Sequence, residues 1–195
     1  MTDVVVDGRV ARGNRTREAV IDALFELHAE GNLTPTIEDI ADRIGKTTRS
    51  IYHHFKDKEA LAAAIAERQL ERHRELFTAH PPTGSRAERI DGIVDHRATL
   101  FETIAPERRS ALVRMHASPE IQDQQTQLAA HLRKQLTLTF EPELSGLDRA
   151  ARSDLLDLLD LHTSWETWER LRTWQGVSVK RSRKLVTKLL TDALG

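Results

Sequence analysis

The side chains able to do chemistry in this chain are cations, hydroxyls and imidazoles. Its 195 residues include nine histidines and no cysteine, so disulfides and thiolate metal sites are excluded. The histidines do not fall at metal-binding spacings. No H-E-x-x-H and no Glu-x-x-His pair occurs. His162 and Glu166 stand four apart on one helix face, but a single such pair is more simply a surface or core contact than a metal site. There is no G-x-S-x-G, no phosphate-binding glycine loop and no dinucleotide fingerprint. The sequence therefore predicts no catalytic residue, no metal and no cofactor. What remains is a short stretch whose residue types suit a polyanion. Arg49 carries the two-pronged donor that matches guanine O6 and N7 in the major groove of DNA. Tyr52, His54 and Lys58 can donate to phosphate oxygens, with Thr48, Ser50 and His53 beside them.

Two short helices must position these groups. Ile37, Ile40, Ala41 and Ile44 recur at helical spacing, and Thr36 with Asp39 three residues on is a capping-box pattern. Gly45-Lys46-Thr47 makes a turn. In the next helix Ile51 and Phe55, four apart, point inward. Thr48, Arg49, Ser50, Tyr52 and His53 are thereby left outward or toward the helix N-terminus, which itself attracts phosphate. The formal net charge is only −1, so a nucleic-acid site must be a local patch. Two stretches qualify. Arg43, Lys46, Arg49, Lys56 and Lys58 cluster with His53 and His54, and Arg9, Arg12, Arg15 and Arg17 lie nearer the N-terminus.

The rest of the chain reads as helix throughout. Leu, Ala, Arg and Glu abound, and no alternating strand pattern occurs. Caps and breakers mark nine helices. They lie at about 15–29, 36–45, 47–54, 57–79, 85–103, 106–118, 119–140, 148–175 and 178–194, with a loop at 141–147. The expected organisation is a flexible basic arm over 1–14, a helix-turn-helix domain over 15–56 and a larger helical body over 57–195. No apolar run approaches the roughly 20 residues needed to cross a bilayer.

Residues 36–61 closely resemble the signature of the tetracycline-repressor (TetR) family. The match combines the Ile40-Ala41 pair, the turn glycine Gly45, the Ile51-Tyr52-x-x-Phe55 core and Lys58-Glu59-Ala60-Leu61, and it begins in the preceding helix at Arg17 to Gly31. The resemblance implies DNA contacts from Thr36, Thr48, Arg49, Ser50, Tyr52, His53, His54 and Lys58, and structural roles for Thr47, Ile51 and Phe55. Two positions depart from the family pattern. Lys46 stands where an apolar residue is usual, so that the turn either packs differently or touches phosphate. His28 stands where phenylalanine is common. Residues 164–172 and 176–178 look like the last two helices of many members, which form the family's dimer interface.

The residues support the same assembly. Leu155, Leu156, Leu158, Leu159, Leu161, Trp165, Trp168, Leu171 and Trp174 cover nearly the whole circumference of the expected helix over 149–175, which must then be buried on several sides. Leu185, Val186, Leu189, Leu190, Ala193 and Leu194 form one stripe over 179–194. Elsewhere in the body, polar residues interrupt apolar stripes. These are Arg97 amid Ile90, Ile93, Val94, Phe101 and Ile104, Gln125 on the face of Leu128 and Leu132, and His162 beside Leu155 and Leu159. Either they satisfy one another, a neighbouring carboxylate or water, or they line a small-molecule pocket with Phe101, Met115, Leu128 and Trp165. The expectation is an all-α, cytoplasmic, homodimeric DNA-binding regulator, a repressor released from a palindromic operator by a small-molecule effector. The alternatives are a regulator or activator without an effector, and a small helical enzyme or carrier.

Overall fold

A computed structural model describes residues 8–195, apart from the side chains of residues 8–12, 14, 58 and 59. Among the described residues every regular element is helical. The elements are α1 (Gly8–Ala29), α2 (Ile37–Ile44), α3 (Thr48–His54), α4 (Lys58–Arg72), α5 (Arg74–Thr78), α6 (Arg86–Arg114), α7 (Pro119–Thr139), α8 (Glu141–Leu144), α9 (Arg149–His162), α10 (Trp165–Glu169) and α11 (Val179–Leu194). A 3-10 turn follows α6 at Met115–Ala117, and a wide π turn follows α10 at Arg170–Trp174.

The chain divides into two compact units, residues 1–73 with 104–123, and residues 74–103 with 124–195. In the first, Val20, Ile21, Leu24 and Leu27 of α1 meet Ile37, Ile40 and Ala41 of α2, Ile51 of α3, Phe55, and Leu61, Ala64 and Ile65 of α4. Each strip recurs at helical spacing, so three amphipathic helices and the start of a fourth close one core. Gln69 of α4 donates to Glu107 of α6 at 3.3 Å. The boundary expected at 56/57 therefore shifts, because α4 and the segment 104–123 group with the N-terminal helices. The arm expected over 1–14 is not seen among the described residues. Residues 1–7 lie outside the described residues, but from Gly8 the chain is already helical, since extending a formed helix costs far less than starting one.

In the second unit, Ile90, Ile93, Val94, Leu100 and Phe101 of α6 pack with Leu132, Leu136 and Phe140, with Leu159, Trp165 and Trp168, and with Val186 and Leu190. Phe101 and Trp165 meet edge to face, their centroids 5.6 Å apart. Arg89, nearly buried, donates to both Glu143 oxygens at 2.6 and 2.7 Å and to the Thr139 carbonyl at 2.7 Å.

Four expected helices come out differently. The helix over 57–79 breaks at His73, where the chain passes from the first unit to the second. The carbonyls beyond the break are engaged there, Leu76 O with His96 Nε2 at 2.7 Å and Ala79 O by Gln135 Nε2 at 3.1 Å. The helices expected over 85–103 and 106–118 are one helix, α6, with Pro106 inside it. An interior proline costs about 3 kcal/mol. Burial of Phe101 and Ile104 before it and of Ser110 after it offsets that loss. The helix expected over 148–175 stops at His162, because Ser164 caps a new start by accepting from Thr167 N. The π turn then carries Trp174 outward to 80% exposure. A one-turn helix, α8, occupies part of the loop expected at 141–147.

Candidate DNA-binding face

α2, the turn and α3 are held by side-chain caps that the sequence spells out. Thr36 Oγ1 accepts from Asp39 N at 3.1 Å, and Asp39 Oδ2 accepts from Thr36 N at 2.8 Å. The bond from Thr36 N, first among its causes, holds the Asp39 carboxyl below the usual carboxylate range. Gly45 closes α2 in the left-handed region at φ +63°, its amide bonding Ala41 O and Asp42 O, a conformation costly for any residue with a Cβ. Thr47 Oγ1 accepts from Ser50 N at 3.3 Å and starts α3.

On this frame Ile51 and Phe55 are buried and Arg49, Tyr52 and His53 are exposed, Tyr52 by 57%. Thr48, Ser50 and His54 are half-buried. The His53 and His54 rings pack edge to face at 5.4 Å. Arg49 has no ion-pair partner among the described residues, so its two-pronged donor is available. The Thr36 hydroxyl is exposed but already accepts the capping bond. The Lys58 side chain lies outside the described residues. Its helix start is fixed by Asp57, which accepts from Ala60 N at 2.7 Å.

Charge reading of the sequence erred at Arg43. Its guanidinium bonds Glu26 at 3.1 Å and Glu30 at 2.6 Å, which ties α2 to α1 and neutralises it. Sequence reasoning also missed a feature of the turn. An open groove of about 280 Å³ runs between α1 and Gly45–Thr47, lined by Arg15, Thr16, Ala19, Ile44 and Lys46. The departure from the family pattern at Lys46 was the available signal.

The expected ligand-pocket residues are only partly brought together. Arg97, 2% exposed, donates to Gln135 Oε1 at 2.7 Å, to Leu132 O at 2.8 Å and toward His96 Nδ1 at 2.9 Å, while its Nε has no acceptor. Burial pulls its pKa down to about 10. Its partner is thus Gln135, not Gln125. Gln135 lies beside Leu132 and Leu136 on α7, ten residues beyond Gln125. Arg97, Phe101 and His162, with Trp168 and Val186, border a space of only about 10 Å³, roughly the room one water needs. Gln125 and Leu128 are half-buried on α7 and do not line it. Trp165 packs on Phe101 without lining it, and Met115 belongs to the first unit.

A capped helix pair with a fixed turn, whose second helix presents Arg49, Tyr52 and His53 outward, defines a helix-turn-helix DNA-binding protein. The comparisons with known proteins are specific. Residues 20–65 match the family described as bacterial regulatory proteins, tetR family. The chain is 32% identical over 210 residues to the HTH-type transcriptional repressor KstR2 of Rhodococcus jostii (strain RHA1), covering 100% of this chain and 98% of the relative. It is 39% identical over 61 residues to the HTH-type transcriptional regulator SrpR of Pseudomonas putida, covering 30% of this chain and 29% of that protein. Among solved structures, a transcriptional regulator from Rhodococcus sp. Rha1 superposes with a TM-score of 0.69 at 15% identity, covering 91% of this chain and 95% of the other. A TetR transcription regulator from Haloarcula marismortui gives 0.64 at 16% identity, covering 93% and 97%. This chain belongs to the tetR family of transcriptional regulators. Members bind DNA operators, act as dimers and are not enzymes. No helix among the described residues is long and apolar enough to cross a membrane.

Proposed function

We propose that this protein is a cytoplasmic repressor that binds a palindromic operator as a homodimer. Its reading residues are Thr48, Arg49, Ser50, Tyr52, His53 and His54 on α3, with Thr36 and Lys58 on the flanking helix starts. The observation that carries this reading is the unpaired, exposed Arg49 on a helix fixed at its N-terminus by Thr47. The repressor role is supported by the full-length relative named as a repressor. Dimerisation uses the apolar residues left uncovered on α9, the π turn and α11, namely Leu158, Leu161, Trp174 and Leu189. One helix-turn-helix buries too little surface for tight specific binding, and a two-fold dimer doubles the contacts. Operator fragments selected from genomic DNA provide the test. Arg49→Ala should weaken binding to them by roughly 1–3 kcal/mol and relax specificity at one base pair. Unchanged affinity in a gel-shift titration would remove Arg49 from the reading face.

Release by a small-molecule effector belongs to this proposal, with the 74–103 and 124–195 unit as the receiving body. A second reading, regulation without an effector, is favoured by the space beside Arg97, which is filled to about 10 Å³. Operator affinity measured with and without compounds found by thermal-shift screening separates the two. A regulator without an effector shows equal affinities for every stabilising compound.

A further inference from the structure

We propose that the groove between α1 and the helix-turn-helix turn is a second DNA contact, a seat for one backbone phosphate held between Arg15 and Lys46. The proposal rests on the DNA-binding reading of α3 and adds a contact that reads no base. The groove is lined by two cations, one hydroxyl and the apolar Ala19 and Ile44, with no carboxylate among its walls. The acids on and just after α1 are engaged elsewhere, and Glu38 and Asp42 of α2 do not line the groove. Glu18 pairs with Arg68 at 3.1 Å, Asp22 with Arg72, and Glu26 and Glu30 with Arg43. Arg15 and Lys46 are exposed and have no ion-pair partner among the described residues.

The turn holds Lys46 at a fixed point. Gly45 sits at φ +63°, and Lys46 N donates to Ala41 O at 2.9 Å. From there its alkyl stem can lie over Ile44 and Ala19 while the ammonium stays in water. An apolar side chain at this position would serve only to cover that floor. A lysine leaves the groove open and lends it charge.

The groove also lies where a duplex must pass. α3 lies across α1 over residues 13–19. At one end Lys46, two residues before α3, faces Arg15, Thr16 and Ala19. At the other end the Arg17 guanidinium is 5.5 Å from the Phe55 ring centroid, and a Cβ at position 13 would stand 3.6 Å from His54 Cε1. A helix in the major groove is flanked by phosphates on both rims, the groove being about 12 Å wide. With α3 in that groove, the strand on the Lys46 side meets two unpaired cations.

A phosphate seat contributes affinity without sequence preference. The test uses the full-length protein, an operator duplex and an unrelated duplex, with fluorescence anisotropy across a salt series. Lys46→Val and Arg15→Ala should each weaken binding to both duplexes by the same factor. The double variant should flatten the slope of log affinity against log salt by about 0.9, the value for one phosphate. The operator preference should be unchanged. Lys46→Val covers the apolar floor, and a thermal melt checks that each variant folds. If both variants fold and leave affinity and slope at wild-type values while Arg49→Ala still weakens operator binding, the seat does not exist. If Arg49→Ala is silent as well, the reading of α3 fails with it.

Discussion

His28 makes the stability of the DNA-binding unit depend on pH in a calculable way. Its ring is 2% exposed in the core, and neither nitrogen has a hydrogen-bond partner. Burial, helped by the nearby Arg114 guanidinium, lowers its pKa from 6.5 to about 4. Between those values the unfolded chain binds a proton that the folded chain refuses. The stability associated with the neutral ring is therefore complete above pH 6.5 and is lost as pH falls toward 4. At pH 5 the window crossed is 1.5 pH units, and at 1.36 kcal/mol each that is about 2 kcal/mol. Against a typical domain stability of 5–15 kcal/mol this is a large fraction. His28→Phe removes the titrating group and two unsatisfied polar atoms while keeping an aromatic ring in the core. Urea unfolding of wild type and variant at pH 7.5 and pH 5.0, followed by circular dichroism, gives a double difference in which the other titrating groups cancel. The advantage of the phenylalanine variant should grow by about 2 kcal/mol on going to pH 5.0. A gap that stays constant within a few tenths of a kcal/mol would show that His28 takes up its proton in the folded state and that the buried-ring argument is wrong.

Two further outcomes follow from the second unit. Leu161→Glu with Leu189→Glu places charge on the uncovered apolar face and should give a folded monomer near 22.1 kDa by light scattering, with weakened operator binding. Retention of the dimer would put the interface elsewhere. Glu143→Ala strands the nearly buried Arg89 cation and should cost about 3–5 kcal/mol by denaturant titration. The pair replaced together by Met and Leu should recover most of that loss, and failure to recover would mean that the Thr139 carbonyl rather than the ion pair sets the cost.

The frame of the candidate DNA-binding face was legible because its geometry is local. Thr36 with Asp39, Gly45, Thr47 and Asp57 act through backbone groups three or four residues away, and such caps are written in nearby residue types. The positions that misled depend on partners far along the chain. Arg43 reads as a free cation until Glu26 of α1 and Glu30 just after it arrive beside it. Arg97 reads as a pocket residue until Gln135, 38 residues away, takes its donor. Pro106 reads as a helix start, but burial on either side of it carries the helix through. Leu190 shares its stripe with Leu189, yet Leu190 is buried in its own chain and Leu189 is exposed, because a stripe has two edges that face different neighbours.

The π turn at Arg170–Trp174 has a spectroscopic consequence. Of the three tryptophans, Trp165 and Trp168 are 3% exposed, and Trp168 donates its indole N–H to Glu102 at 2.8 Å. Trp174 is carried into water by the wide turn. The intrinsic emission of a single chain is therefore a sum of two shielded indoles and one hydrated indole. Denaturant shifts the first two to the red. If two chains associate over the proposed face bearing Trp174, the third shifts to the blue and is shielded from an aqueous quencher. The two signals separate on different axes, one with denaturant and the other with protein concentration, so the native chain reports folding and assembly without a label.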